Sequence, residues 1–223
     1  MRNKRNIGME KMILEIKEMK KYFFVPFIII FILQPIYMYF KLKAGYGTDL
    51  IYVEDEIISE AVRLHPVLSL WWPFFVLTKY LENEDREIYY LYGRIKWDEI
   101  FNFYILYMIA VFVQMLFCLT VIDVAMICYL YIFLMAVCFF YIAFTYWLSY
   151  FVKSATVVLL PILLYSFWVT MGSNNAALYA INYIRIFSGG FFFRGVLKSL
   201  ILAAVGIVFV FLGKRENIKY IDY

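Results

Sequence analysis

A single charged side chain, Asp123, interrupts the 53 residues from 100 to 152. A stretch this apolar cannot cover a water-facing surface. It is also too long for one membrane helix, which needs about 20 apolar residues to cross a hydrocarbon core of about 30 Å. Two spanning helices joined by a tight turn near Asp123 account for it. The stretch therefore predicts a protein that crosses a membrane more than once.

The composition of the whole chain agrees with a membrane location. Of 223 residues, 65% are hydrophobic and 17% are charged, whereas globular proteins are about 45–50% apolar and roughly 25% charged. These values argue against a soluble enzyme, a disordered chain and a nucleic-acid binder. The net charge of +4 fits the basic excess that orients membrane helices. Three cysteines inside apolar runs, Cys118, Cys128 and Cys138, predict no disulfide framework.

Six apolar runs predict an all-α membrane protein with six transmembrane helices. The expected spans are about 22–40, 64–81, 100–121, 125–150, 155–171 and 193–212. Together they form a transmembrane domain over residues 22–213, followed by a tail over 214–223. The polar segment at about 41–63 predicts an acidic surface helix, and Lys153-Ser154 predicts a turn. Asp123 is interpreted as a turn residue, with a role at an outer gate as the alternative.

The first 21 residues predict an amphipathic helix that lies in the membrane interface. Five apolar residues recur there at three- and four-residue steps, namely Met9, Met12, Ile13, Ile16 and Met19. Seven Lys and Arg residues in the same segment favour contact with lipid headgroups. A cleaved signal peptide is the competing interpretation. We reject it because no small-residue cleavage site follows the first apolar run.

The distribution of basic residues predicts the orientation. With the N-terminus inside and six spans, 15 of the 21 Lys and Arg residues fall on the cytoplasmic side and 6 on the outside. Cytoplasmic loops of membrane proteins are enriched in Lys and Arg. Both termini are therefore expected to be cytoplasmic.

Motifs for catalysis and for nucleotide binding are missing from the sequence. There is no G-x-x-x-x-G-K-[ST] phosphate loop and no G-x-S-x-G nucleophile motif. His65 is the only histidine, which excludes a metal site built on a histidine pair. We interpret it as a residue of the membrane interface beside Pro66. No catalytic, cofactor-binding or metal-binding residue is predicted.

Aromatic and amide side chains within the spans are candidates for a substrate path. The candidates are Trp71, Trp72, Asn102, Gln114, Phe139, Phe140 and Tyr141. Two alternatives stay open for them. Aromatic residues also form belts at the two membrane interfaces, and buried amides also form hydrogen bonds between helices.

The most unusual segment is Glu82–Glu99, between the second and third predicted spans. It holds six acidic and three basic residues mixed with Tyr and Trp, so its acids outnumber its bases on the side where bases should prevail. The pattern predicts two short helices separated by Gly93. A short amphipathic helix with charged ends suits docking into a groove on a cytoplasmic partner.

This organisation resembles the ABC-2-type permease family of ATP-binding cassette transporters. The likeness covers an N-terminal interfacial helix, six spans, and a loop with acids, apolar residues, a helix break and then bases. Here that loop has Glu84 and Glu87 as acids, a break at Tyr92-Gly93 and bases from Arg94. Gly93 stands where the family often has Pro, and Ile88-Tyr89 where it usually has Gly-Thr.

The resemblance implies the membrane subunit of an exporter in the bacterial plasma membrane. A separate ATPase subunit would bind ATP and Mg²⁺, and a second permease copy or a sister permease would complete the path. The cargo would be an amphipathic or hydrophobic peptide, antimicrobial or lipid-like molecule. The segment at about 82–97 would be the coupling helix, with its contacts made by Glu84, Arg86, Glu87, Tyr90, Leu91, Gly93 and Arg94.

Two other functions stay open from the sequence. One is a substrate-binding subunit or gradient-driven carrier, for which the acidic segment at 49–60 would shape an external site. The other is a membrane-embedded scaffold or enzyme, for which no catalytic residues speak.

Overall fold

The computed structural model describes residues 4–44, 50–82, 97–119, 122–171 and 191–221. In these ranges the protein is helical apart from short turns, and they contain no β-strand. A 3-10 segment, Lys20–Phe24, and a π-helical segment, Ile29–Leu33, interrupt the first long helix. The α-helices are α1 Lys4–Met19, α2 Val25–Ile28, α3 Gln34–Ala44, α4 Leu50–Leu68, α5 Trp71–Leu81, α6 Trp97–Cys118, α7 Val124–Val152, α8 Ala155–Met171 and α9 Phe191–Ile221.

Four helical segments of the described chain are long and apolar enough to cross a membrane. They are Met12–Lys41, Trp97–Cys118, Val124–Val152 and Val196–Ile218. The prediction of an all-helical protein embedded in a membrane agrees with this architecture. Its six-span form is not confirmed. One of the other two predicted spans corresponds to α8, whose apolar part is Ala155–Leu164, and the other to the end of α4 followed by the 11-residue helix α5.

The second predicted span, 64–81, is broken in the structure. Helix α4 runs through the expected boundary between the surface helix and the span, and the break comes later, at Ser69 and Leu70. The physical cause is Pro73, which has no N–H for the carbonyl one turn earlier and whose ring crowds that turn. Leu70 instead donates to the Val67 carbonyl at 3.1 Å in a tightened turn.

The turns predicted at Asp123 and Lys153 are both present. Asp123 precedes α7, and its carboxylate accepts a hydrogen bond from the Ala125 N–H at 3.2 Å, as expected of a helix N-cap. Lys153 ends α7 in the left-handed conformation with φ 63°. A second left-handed residue, Lys20 with φ 50°, marks the change from α1 to the 3-10 segment within the apolar stretch Met12–Lys41.

Helix α7 forms the centre of the bundle and contacts α4, α5, α6, α8 and α9. The most apolar part of α7 is 61% buried, whereas those of the first and last spans are 22% buried. Helix α9 lies along α7 with glycines at the closest approach. A Cβ on Gly213 would collide with the Tyr146 ring and come within 3.2 Å of the Trp147 Cα, so this contact requires glycine.

Candidate functional site

Five polar residues from three helices meet where α5 ends and α6 begins, and we call them the polar junction: Glu15, Glu18, Lys79, Tyr80 and Glu99. The Lys79 ammonium lies 2.8 Å from a Glu15 carboxylate oxygen and 2.6 Å from one of Glu18. The Tyr80 hydroxyl donates to Glu99 at 2.7 Å and reaches Glu15 at 3.5 Å. The junction therefore ties α1, α5 and α6 together.

Local sequence explains how each member reaches the junction. Lys79 and Tyr80 occupy the last turn of α5, and Glu99 lies in the first turn of α6, where the helix dipole favours a negative charge. Glu15 lies on the face of α1 that Met12 and Met19 turn toward the core. Both sides of the ion pair are sequestered, with the Lys79 side chain 12% and that of Glu15 7% exposed.

A second set of hydrogen bonds starts from Glu82, directly after α5, and we call it the Glu82 cap. The Glu82 carboxylate accepts bonds from the Ser154 and Thr156 hydroxyls, both at 2.6 Å, and from the Thr156 N–H at 2.9 Å. Glu82 thus caps the start of α8 from another helix. Partial burial raises the pKa of Glu82, but these hydrogen bonds outweigh it, so the pKa lies below its ordinary value.

The ends of α6, α7 and α9 lie at the same end of the bundle. The centroids of the Trp97 and Tyr146 rings are 5.2 Å apart. The Asn217 amide donates a hydrogen bond to the Tyr146 hydroxyl at 3.4 Å. Tyr146 also packs against Gly213. Together with the polar junction, the contacts at this end therefore include the first helix, α1, and the last helix, α9.

All seven residues predicted for coupling lie outside the described residues. They are Glu84, Arg86, Glu87, Tyr90, Leu91, Gly93 and Arg94, within the range 83–96. The structure describes the two flanks of that range, Glu82 and Trp97. Both flanks belong to the contacts given above, so the polar junction and the Glu82 cap border the predicted coupling segment directly.

Two predicted path residues, Trp71 and Trp72, join α5 to the first span. Their indole N–H groups donate to the carbonyl oxygens of Tyr22 at 2.9 Å and Phe23 at 3.0 Å. Trp72 is 1% exposed, and its ring also packs against Phe103. These residues occupy a helix interface rather than an open wall.

The predicted aromatic residues of α7 fill other helix interfaces. Phe139 packs against Trp97 and Tyr104, and Phe140 packs against Phe209 of α9. Tyr141 is buried beside Phe140. The described ring contacts of these residues with other helices are with α6 and α9, whereas those of Trp72 are with the first span and α6.

The two predicted amide residues lie on α6 in different settings. Asn102 is half-buried near the start of the helix. Gln114 is 1% exposed, and neither of its side-chain polar atoms has a hydrogen-bond partner among the described residues.

His65, predicted as a residue of the membrane interface, is buried between helices in the structure. It is fully buried, its Nδ1 is 2.8 Å from the Tyr107 hydroxyl oxygen, and that hydroxyl donates to the His65 carbonyl at 3.2 Å. His65 lies in the last turn of α4 and contacts α6 through Tyr107.

Sequence reasoning missed the members of the polar junction and of the Glu82 cap. One signal was available: Glu15 falls on the same helical face as Met12 and Met19, and a charged residue within an apolar stripe calls for a partner. Nothing local identifies Lys79 as that partner, 64 residues away.

In the described part of the chain, no group of three His, Cys, Asp or Glu side chains is arranged to hold a metal ion. Comparisons with protein-family models, with curated proteins and with solved structures give no match to this chain.

Proposed function

We propose that this chain is the membrane permease subunit of an ABC-2-type exporter, driven by a separate cytoplasmic ATPase subunit. The observation that carries the proposal is the pair of polar connections bordering residues 83–96. A segment on which a partner pushes is useful only if its ends are firmly attached to the helices that must move.

The attachments reach three different helical units. Lys79 links α5 to α1 through Glu15, and α1 leads into the first span. Glu82 links the end of α5 to α8 through Thr156. A push on residues 83–96 would therefore be transmitted to the first span, to α5 and to α8. In the six-span scheme these are spans one, two and five, the ones that the family resemblance implies should reorient.

Tyr80 and Glu99 keep the two ends of the coupling segment together. Their 2.7 Å hydrogen bond joins the last turn of α5 to the first turn of α6. A segment with tethered ends responds to force as one body, because its ends cannot be pulled apart without breaking a buried hydrogen bond. This arrangement suits a coupling element better than a passive linker.

The remaining parts of the proposal follow from the family resemblance and the composition. ATP and Mg²⁺ would bind the partner subunit, and a second copy or a sister permease would complete the path across the bacterial plasma membrane. With Asp123 the only charged residue between 100 and 152, the cargo would be an amphipathic or hydrophobic molecule. Six spans with both termini cytoplasmic would place residues 83–96 on the ATPase side.

The test is capture of the ATPase subunit by the tagged permease from native membranes. The triple variant Glu84→Ala, Arg86→Ala, Glu87→Ala should reduce the co-purifying ATPase activity at least tenfold without reducing the amount of permease in the membrane. The matched control, Lys41→Ala with Lys43→Ala, changes charges at the other end of the first span and should leave capture intact. Undiminished capture by the triple variant would show that the coupling assignment is wrong.

A further inference from the structure

Two glutamines of the membrane-spanning helices are buried without hydrogen-bond partners in the part of the chain that the structure describes. Gln34 is 5% exposed and Gln114 is 1% exposed. None of their four side-chain polar atoms has a partner among the described residues. An unpaired amide away from water is costly, and the hydrocarbon region offers no solvent to compensate. Each amide carries an unused donor group and an unused acceptor.

The two glutamines lie at the same depth in the bundle. Phe23 of the first span and Phe103 of α6 both pack against the Trp72 ring. Gln34 follows Phe23 by 11 residues, and Gln114 follows Phe103 by 11 residues. Both helices run away from the same end of the bundle. At 1.5 Å per residue, each amide therefore lies about 16 Å beyond the level of Trp72.

The backbone places Gln34 on the side of the first span that meets α6. The π-helical segment Ile29–Leu33 contacts α6. Ile30, one turn before Gln34, is fully buried, whereas Ile32 and Leu33 are more than half exposed. Residues four apart share a helix face, so Ile30 and Gln34 face the protein interior together.

The helix around Gln34 is itself irregular. The Gln34 N–H donates to the Ile29 carbonyl, one residue further back than in an α-helix. Pro35 follows and cannot donate, which leaves a carbonyl of the preceding turn without its helical donor. Single π-helical turns are often found at functional sites. The amide side chain and this loosened turn supply donors and acceptors at one level of the helix.

We propose that Gln34 and Gln114 form a binding site for an uncharged hydrogen-bonding group, such as the amide of a peptide-like amphipathic molecule. This inference rests on the proposed function, because it takes the occupant to be the transported molecule. A peptide amide both donates and accepts, as does each glutamine side chain. The apolar surroundings, such as Ile30 and Met115, would contact the hydrocarbon part of the same molecule.

The experiment uses the full chain in lipid nanodiscs with radiolabelled N-decylacetamide as the probe and decyl methyl ether, which lacks a donor, as the comparison compound. The amide should bind saturably and at least tenfold more tightly than the ether. In the double variant Gln34→Met, Gln114→Met, which keeps side-chain length, this preference should disappear. Thr145→Val is the matched control because its hydroxyl is already bonded to the Tyr141 carbonyl at 2.7 Å. It should keep the preference.

Thermal unfolding measured without the probe distinguishes a ligand-binding site from a pair of glutamines that stabilises the fold. If the amides await a ligand, the Met variants, and the Leu variants made in parallel, unfold at the wild-type temperature or above. Unfolding at a lower temperature in both sets would show that the glutamines bond within the protein and would overturn the site. Equal binding of amide and ether by the wild type would overturn it as well.

Capture of the ATPase subunit distinguishes failure of this inference from failure of the proposed function. Gln114 lies 17 residues along α6 from Trp97, a described flank of residues 83–96, and Gln34 lies at a similar level of the first span, so the Met variants should capture the subunit as the wild type does. If the amide does not bind but ATPase capture is normal, the proposed binding site is wrong and the proposed function stands. If the amide binds but the wild-type chain captures no ATPase, the proposed ATP-driven exporter is wrong and the binding site stands.

Discussion

The two ends of the helix bundle are held by different kinds of polar contact. At the end bordering residues 83–96, the contacts join different helices, as in Lys79 with Glu15 and Glu82 with Thr156. At the end marked by Asp123, the described polar contact is local: the Asp123 carboxylate accepts a hydrogen bond from the Ala125 N–H two residues away.

This difference suggests how the bundle can move. Helices linked to one another by buried polar contacts shift together, whereas a contact within one helix, such as the Asp123 cap, does not hold that helix to its neighbours. An element that receives force should lie at the first end, and an opening for a transported molecule at the second. The predictions below probe the two ends in order of expected effect.

The largest effect is expected from Lys79→Ala at the linked end. The change leaves the buried Glu15 carboxylate without its cation, which costs roughly 3 kcal/mol. It should lower the midpoint of thermal unfolding in detergent. In a Met12→Cys background, it should also make position 12 more reactive toward a thiol reagent. Lys17→Ala, which changes an exposed lysine of α1, is the control. Equal effects of the two changes would mean that the polar junction does not hold α1.

The next effect is expected where α9 crosses α7. Gly213→Val places methyl groups against the Tyr146 ring and the Trp147 backbone, and overpacking of this kind costs about 2 kcal/mol. Gly206→Val should cost less, because its nearest contact is the half-buried Phe139 ring at 2.8 Å and the Phe140 backbone is 3.5 Å away. Thermal unfolding of both variants shows which one loses more stability. A larger loss in Gly206→Val than in Gly213→Val would contradict the packing described.

A smaller effect is expected at the other end from Asp123. Asp123→Ala removes the N-cap of α7 and should cost about 1 kcal/mol, whereas Asp123→Asn keeps a capping oxygen and should be close to neutral. Neither change should alter transport if Asp123 only caps a helix. A transport defect in Asp123→Asn with unchanged unfolding would favour the alternative of an outer gate.

The smallest effect is expected from the Glu82 cap, which is exposed to solvent. Because the pKa of Glu82 lies below its ordinary value of 4.5, its contribution to stability is complete above about pH 4.5. That contribution is lost as the pH falls through the lowered pKa. Thermal unfolding measured from pH 7 to pH 3 should show this loss in the wild type and less of it in Glu82→Gln. Identical pH profiles would exclude a stabilising role for the cap.

Sequence reasoning located what depends on local chemistry. The turns at Asp123 and Lys153 follow from polar residues between long apolar runs. The break before α5 also had a local cause, Pro73, but the apolar character of residues 64–81 suggested one continuous span. Helix identity was predictable because the membrane forces backbone groups to bond within each segment.

The polar junction could not be predicted in the same way. Lys79 and Glu15 are 64 residues apart, and their pairing depends on which helices are neighbours and on how far each is rotated. Glu82 was counted among the charges of its segment, yet its partners, Ser154 and Thr156, follow a turn 72 residues later. Such contacts are set by tertiary packing, which periodicity within one helix does not contain.

The most direct test of the difference between the two ends is a pair of distance distributions from spin labels in nanodiscs. The native cysteines are replaced by alanine, and labels are placed at the exposed positions Lys17 and Asp98 for the linked end and at Lys43 and Val124 for the other. The account predicts one narrow distribution for the first pair, broadened by Lys79→Ala, and a broad or divided distribution for the second. Equally narrow distributions at both ends, unaffected by Lys79→Ala, would contradict it.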